Sequence, residues 1–200
     1  MAIGDRLPKP LFQLAAGQFG KKGQRDASVS LLLTAEEFPY SDWTPSRTMS
    51  WRIGAFDSDP ERRRAWKLGL FTAVRGYRQP GTEEHLRIQV FRLSSEMDAK
   101  AIARRFQSRE IRRPNTTLLD ERAVSGPEIV GLTESQFVES EVKTKLGLGR
   151  NWRVYGAVDS DALIINASGF QDFWSWEKVH PIAVQMVTKV HCAPDAGLSE

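Results

Sequence analysis

The chain has 200 residues, of which 40% are hydrophobic and 26% charged, a composition typical of one globular domain or two small ones. Its 28 Lys and Arg residues against 25 Asp and Glu residues leave a net charge of only +3, which argues against a nucleic-acid-binding protein. The single cysteine, Cys192, excludes an internal disulfide and a multi-cysteine metal site. No apolar run approaches the ~20 residues that cross a bilayer as a helix.

Composition along the chain predicts three segments: a flexible N-terminal lead-in over 1–27, a single domain over 28–193 and a C-terminal tail over 194–200. The lead-in is rich in Gly and charge, which is typical of loops. Its apolar stretch Leu11–Ala16 is too short for a signal peptide, and this predicts a cytoplasmic protein. If a leader has been removed ahead of Met1, the prediction changes to an exported protein.

The first half of the domain predicts two strands and one helix. The β-rich run Ser28–Leu33 predicts a strand, followed by Thr34 and Glu37 at the spacing of a capping box. Alternation over Met49–Phe56 predicts a second strand. Apolar residues at spacings of three and four over Asp59–Tyr77 predict a buried helix.

The middle of the domain has the clearest local patterns. Leu86–Val90 alternates apolar and polar residues, which predicts a half-buried strand. Ser95 with Asp98 three residues later predicts the start of a helix. The apolar residues of that helix fall on one face, at Ala99, Ile102, Ala103 and Phe106.

The C-terminal half predicts four more strands and a last helix. Two strands are expected over Arg122–Ile129 and Thr133–Val142, and two more over Trp152–Val158 and Ala162–Ser168, joined by a three-residue hairpin loop. Helical spacing over Trp174–Val190 predicts a final helix that Pro181 splits. Without βαβ alternation, this order predicts an α+β fold: a twisted antiparallel sheet with helices packed on one face.

Catalytic and cofactor-binding motifs do not emerge from the sequence. The glycines of residues 17–22 and 147–149 lack the spacing of phosphate-binding loops. His191 and Cys192 are adjacent, so they would point about 100° apart on a helix and would not chelate one metal ion. The prediction is therefore no catalytic residues, no metal and no cofactor.

Two side-chain clusters are candidate binding sites. Five arginines around the end of one predicted helix are a candidate anion site, although cations there also complement the helix dipole; they are Arg104, Arg105, Arg109, Arg112 and Arg113. Aromatic residues gather after the last strand, where they form either core or a surface for a ligand or partner. The candidate aromatic surface comprises Trp152, Tyr155, Phe173, Trp174 and Trp176.

Short motifs resemble a known family. The residues Leu31–Thr34, Glu37–Pro39 and Trp43 resemble the opening of exported actinobacterial lipoproteins and sensor domains, and Gly76-Tyr77 and Trp152–Gly156 fit the same layout. The chain is similar in this way to the external sensor domain of mycobacterial serine/threonine kinases and, more loosely, to Mog1/PsbP-like α+β lipoproteins. The resemblance implies a non-enzymatic ligand-sensing or lipid-binding module. Those sensor domains carry paired disulfides, which a chain with one cysteine cannot form.

The leading hypothesis is a non-catalytic binding module that uses an aromatic-lined cleft between sheet and helix for an apolar small molecule or a protein partner. The alternative is a small ferredoxin-like or dimeric α/β-barrel enzyme acting on a hydrophobic metabolite, with proton transfer by Asp159, Asp161, His180 or Tyr155. A third hypothesis is a structural subunit of a larger assembly, which leaves a homo-oligomer open.

Overall fold

The structure, a computed structural model, describes residues 22–53, 60–68, 70–111, 115–123, 129–145, 147–170 and 173–193. These ranges contain four helices and seven strands. In chain order they are α1 (Lys22–Ser30), β1 (Thr44–Arg52), α2 (Pro60–Lys67), β2 (Phe71–Arg78), β3 (His85–Arg92), α3 (Glu96–Ile111), β4 (Thr116–Ala123), β5 (Thr133–Thr144), β6 (Gly147–Val158), β7 (Asp161–Gly169) and α4 (Trp176–His191).

All seven strands form one antiparallel sheet in the order β1-β2-β3-β7-β6-β5-β4. The chain builds three neighbouring strands and then crosses through α3 to the opposite edge of the sheet. From β4 it returns strand by strand until β7 pairs with β3 at the centre. The predicted α+β class and antiparallel sheet are confirmed.

Helices cover both faces of this sheet. Successive residues of a strand point to opposite faces, and in β6 both Val154 and Tyr155 are buried. The face that carries Val154, called the first face, packs against α1 and α4. The face that carries Tyr155, the second face, packs against α2 and α3. Helices were predicted on one face only, because helices segregate to one side of an antiparallel sheet in many chains with this order of elements. The structure has two helices on each face.

Three predicted elements differ from the structure. Ser28–Leu33 is not a strand: α1 ends at Ser30, and a buried turn of leucines follows. The helix predicted over Asp59–Tyr77 stops at Lys67, and its second half is strand β2. The strand expected over Arg122–Ile129 lies earlier, at Thr116–Ala123. In β2 the residues 71–74 are all buried, and such a run matches helical and strand spacing equally well.

Other predictions are confirmed at the level of single bonds. The backbone N–H of Thr34 donates to Glu37 Oε2 at 2.7 Å, and that of Glu37 donates to Thr34 Oγ1 at 3.3 Å, the reciprocal pair of a capping box. At the start of α3 the N–H of Asp98 donates to Ser95 Oγ at 3.2 Å. These caps are local in sequence, which is why the sequence reveals them.

The ends of the described chain bear on two further predictions. Helix α1 begins at Lys22, inside the predicted lead-in, while residues 1–21 and the predicted tail 194–200 lie outside the described residues. Helix α4 continues through Pro181, where the sequence predicted a break. None of the described helices is long and apolar enough to span a membrane.

Candidate functional site

Four of the five predicted aromatic site residues belong to the first face. Trp152 and Trp174 are each only 2% exposed within its core, and Phe173 and Trp176 are half-buried against it. Tyr155 is buried on the second face. The structure therefore brings four of these residues to one side and separates the fifth from them by the thickness of the sheet.

The first-face aromatics form a packed cluster. The rings of Trp43 and Trp174 meet edge to face with centroids 4.9 Å apart, and Trp43 also contacts Phe173 at 5.4 Å. Phe38 stacks on Tyr77 at 4.2 Å. These rings connect the loop before β1 to the segment before α4, so the cluster joins parts of the chain that are distant in sequence.

The five predicted arginines have different surroundings. Arg104 Nη2 contacts Glu134 Oε1 at 2.7 Å, and this guanidinium lowers the pKa of the Glu134 carboxyl. Arg105 contacts Glu61 across to α2 at 3.1 Å. Arg109 lines a cavity on the second face. Arg112 and Arg113 lie outside the described residues.

That cavity, of about 330 Å³, lies between α3 and the central strands β3, β7 and β6. We call it the arginine pocket, because two strand arginines join Arg109 there. Its lining comprises Arg87, Gln89, Phe106, Arg109, Arg153, Tyr155, Ile164 and Asn166. Its volume is at the lower end of the range of small-molecule sites.

The pairing of β3, β7 and β6 aligns the residues that line the arginine pocket on its sheet side. Asn166 of β7 is paired with Arg87 of β3 on one side and with Arg153 of β6 on the other, so these three side chains form one row across the sheet. Two residues further along the strands, Ile164 is paired with Tyr155 in the adjacent row. Helix α3 lies over this part of the sheet and contributes Phe106 and Arg109 to the lining.

Neutral amides orient the two strand arginines. Arg153, which is 5% exposed, donates from Nε to Asn166 Oδ1 at 2.6 Å. Arg87 donates from Nη2 to Gln89 Oε1 at 3.1 Å. Each of these hydrogen bonds orients the guanidinium group that donates it.

The pocket is consequently electropositive. None of the described residues that line it has a carboxylate, while three have guanidinium groups. Arg87 is exposed at the pocket, yet desolvation by the surrounding protein lowers the pKa of its guanidinium. Arginine stays charged at any physiological pH, so the guanidinium groups of the lining favour an anionic ligand.

The residues of the alternative enzyme hypothesis are not gathered in one place. Asp161 forms a buried pair with Arg92 at 3.3 Å, and Asp159 contacts His191 at 3.1 Å on the surface. His180 lies on α4 over the first face, whereas Tyr155 is on the second. Within the part of the chain that the structure describes, no group of three or more His, Cys, Asp or Glu side chains is arranged to hold a metal.

Comparison with known proteins defines the fold. The extracellular domain of PknH from Mycobacterium tuberculosis aligns with a TM-score of 0.57 at 15% identity, over 83% of this chain and 95% of that chain. The chain has the fold of that extracellular domain. A structure from Bacteroides thetaiotaomicron gives a TM-score of 0.37 at 9% identity, over 72% of this chain and 41% of that one, which is too low to support an argument.

No family model matches the sequence, and no curated protein is significantly similar to it. The resemblance inferred from the short motifs is therefore supported at the level of fold alone, because 15% identity carries no functional residue across.

Sequence reasoning missed Arg87, Arg153 and Asn166. The available signal was a polar residue within each of three strand segments: Arg87 in LRIQV, Arg153 in WRVYG and Asn166 in IINAS. Each looked like an ordinary solvent-facing position when considered alone. Only the pairing of β3 and β6 with β7 shows that the three side chains are neighbours.

Proposed function

We propose that this protein is a non-catalytic binding module that holds a small anionic ligand in the arginine pocket. One observation carries the proposal: guanidinium groups from β3, β6 and α3 line a single cavity whose described lining has no carboxylate. Guanidinium groups bind carboxylates, phosphates and sulfates through charge-assisted hydrogen bonds, often two at a time.

The chemistry of the lining favours binding over catalysis. Proton transfer in enzymes is most often performed by His, Asp or Glu, and none of these is among the described lining residues. The lining offers guanidinium and amide donors, a phenol at Tyr155, and the apolar side chains of Phe106 and Ile164. Such a set recognises charge and shape, which is the role of a ligand-sensing domain.

We further propose that the module acts outside the cytoplasm. Its structural similarity to an extracellular domain supports this location over the cytoplasmic one expected from the sequence. The similarity covers 95% of the other chain, so it involves the whole domain and not a shared hairpin.

The test is an NMR titration of the ¹⁵N-labelled protein with acetate, benzoate, sulfate and phosphate, at ionic strength held constant with chloride to suppress non-specific charge effects. Amide signals around Arg87, Arg153 and Asn166 should shift with at least one of these anions. The variant Arg87→Gln should weaken that binding at least about tenfold, since a hydrogen bond to a charged group contributes about 1.5–3 kcal/mol.

Arg104→Gln is the matched control. It removes the same charge from α3, but Arg104 contacts Glu134 and does not line the pocket. Equal losses in the two variants would mean a diffuse surface effect and would contradict the proposal.

The aromatic surface expected from the sequence is the competing proposal for the binding site. The half-buried rings of Phe173 and Trp176 support it, since they remain partly accessible at the edge of the first-face core. Binding that is lost in Phe173→Leu and retained in Arg87→Gln would favour this surface over the arginine pocket.

A further inference from the structure

We infer that the end of the β5–β6 hairpin docks on an anionic lipid membrane. We call this end the hairpin tip; it comprises Lys143, Thr144, Lys145, Gly147 and Leu148. None of these residues lines the arginine pocket, so the hairpin tip is a separate surface. Three features of the hairpin tip lead to this inference: it projects from the sheet, apolar side chains are exposed at it, and its lysines have no acidic partners.

The hairpin tip projects beyond the strands on either side of the hairpin. Strand β4 makes its last pair with the hairpin at Val142, and β7 makes its last pair at Arg150. Within the hairpin, pairing continues to Thr144 and Gly147, about 7 Å further along the strands than Val142. A Cβ atom added at Gly147 would have no other atom within 4 Å, so the space beside this residue is open.

The turn of the hairpin tip is held by its own contacts. Thr144 Oγ1 donates a hydrogen bond to the carbonyl oxygen of Gly147 at 2.9 Å. Gly147 has a φ of +129°, a conformation that favours glycine. Because the turn is already formed, binding through it costs less conformational entropy than ordering a flexible loop.

Two large apolar side chains are exposed at this end of the sheet. Leu148 is 56% exposed, and Phe170, which follows β7, is 40% exposed. The Phe170 ring lies beside β6, since its Cε1 atom is 3.4 Å from the position that a Cβ atom would take at Gly149. Leu148 and Gly149 are consecutive, so an aliphatic and an aromatic side chain are both available for burial at the boundary between lipid headgroups and acyl chains.

The lysines of the hairpin tip keep their positive charge unpaired. Lys143 and Lys145 are exposed, and neither side chain forms an ion pair with any residue that the structure describes. The nearest carboxylate along the hairpin is that of Glu141, which contacts Arg150 Nε at 3.6 Å. The two lysines therefore complement the negative charge of anionic lipid headgroups.

Lysine beside exposed apolar residues favours a membrane over a protein partner. Protein–protein interfaces are depleted in lysine relative to the rest of the surface. At a membrane, the apolar stem of a lysine lies along the lipid while its ammonium group stays among the headgroups. The composition of the hairpin tip is therefore more typical of a membrane-docking surface.

Vesicle sedimentation with the full chain tests the inference. The protein should sediment with vesicles of phosphatidylcholine and phosphatidylglycerol in equal parts, and not with vesicles of phosphatidylcholine alone. The double variant Lys143→Gln/Lys145→Gln should bind the mixed vesicles about twentyfold more weakly, since each basic residue near an anionic membrane contributes about fivefold in affinity. Raising the salt concentration should weaken binding of the unmodified protein.

Arg63→Gln/Lys67→Gln is the matched control. It removes two positive charges from exposed positions on α2, which packs near Leu93, beyond the opposite end of β3. Its affinity for the mixed vesicles should equal that of the unmodified protein. Urea denaturation checks that both double variants are folded, and their unfolding midpoints should be unchanged because all four positions are exposed.

A fluorescent label measures insertion of the hairpin tip. Cys192→Ser removes the single cysteine, so Leu148→Cys in that background provides one site for the environment-sensitive dye nitrobenzoxadiazole. Emission from this label should rise and shift to shorter wavelength with the mixed vesicles. The same label at Met97→Cys, a position on α3 that is 77% exposed, should not respond.

Three results would overturn the inference: no binding to the mixed vesicles, equal losses in the two double variants, or a response at Met97→Cys without one at Leu148→Cys. Binding to polyglutamate and not to vesicles, lost in Lys143→Gln/Lys145→Gln, would also overturn it and would assign the hairpin tip to an acidic protein partner. The anion-binding function of the arginine pocket is tested separately by Arg87→Gln.

Discussion

The carboxyl group of Glu84 occupies the position that the Cβ atom of any other residue would take at Gly169. Glu84 is fully buried, and a Cβ atom added at Gly169 would overlap Glu84 Oε2. The glycine is therefore required by the close approach of a buried carboxyl group. The sequence contains no sign of this pair, because the two residues are far apart along the chain.

Gly169→Ala should lower the free energy of unfolding by about 2 kcal/mol or more, since overpacking typically costs about 1–3 kcal/mol and here it also displaces a buried carboxyl group. Urea denaturation followed by circular dichroism measures this. Gly149→Ala is the matched control in a neighbouring strand, where the nearest atom to an added Cβ is Phe170 Cε1 at 3.4 Å. Equal effects of the two substitutions would contradict the close-packing explanation.

At the scale of elements, hairpins and caps follow from adjacent residues. Strands β6 and β7 meet at a turn of Asp159 and Ser160, and Asp159 has a φ of +49°. Asp tolerates this left-handed conformation better than most residues. The hairpin was expected from the sequence with a three-residue loop, but Asp161 pairs with Val158, so the loop has two residues. The strands are longer than predicted, since β6 begins at Gly147 and β7 ends at Gly169.

Asp159→Val should destabilise the hairpin by about 1–2 kcal/mol, the cost of a left-handed conformation for a β-branched residue. Thermal unfolding and the unfolding midpoint in urea measure the loss. Asp159→Asn keeps the tolerance for positive φ and removes only an exposed contact to His191, so it should leave stability nearly unchanged. A similar loss in both variants would mean that the contact, and not the backbone, stabilises the turn.

At the scale of the whole molecule, one sheet separates two cores. Four of the six tryptophans belong to the first-face core or pack on it: Trp43, Trp152, Trp174 and Trp176. The second-face core contains Ile102 of α3 and Tyr155. Because the central strands contribute alternate residues to both cores, loss of packing on one face weakens the strands that the other face needs.

Ile102→Ala should therefore lower the midpoint of unfolding reported by tryptophan fluorescence, although the substitution is on the opposite face from most tryptophans. Removal of a fully buried isoleucine costs about 2–5 kcal/mol. The midpoints of unfolding measured by fluorescence and by circular dichroism should shift by the same amount. Met97→Ala, on the same helix but 77% exposed, is the control and should change little. A fluorescence midpoint that stays fixed would mean that the two faces unfold independently.

The candidate site shows how these scales combine. Of the arginines proposed from the sequence, Arg109 lines the pocket, and its partners Arg87 and Arg153 come from strands that looked ordinary. The aromatic residues were prominent in the sequence because of their size. Whether an aromatic residue belongs to the core or to a binding surface depends on its burial. Trp152 and Trp174 are buried, so they belong to the core.

The order of elements along the sequence determined the α+β class. The caps at Thr34 and Ser95, the β6–β7 hairpin and the start of α3 also followed from the sequence, because each depends on neighbours within a few residues. The tertiary structure alone decided that helices cover both faces, that residues 71–78 form a strand, and that three arginines share a pocket. Those features depend on strand register and on which face meets which helix. They are contacts between distant parts of the chain, which local patterns do not specify.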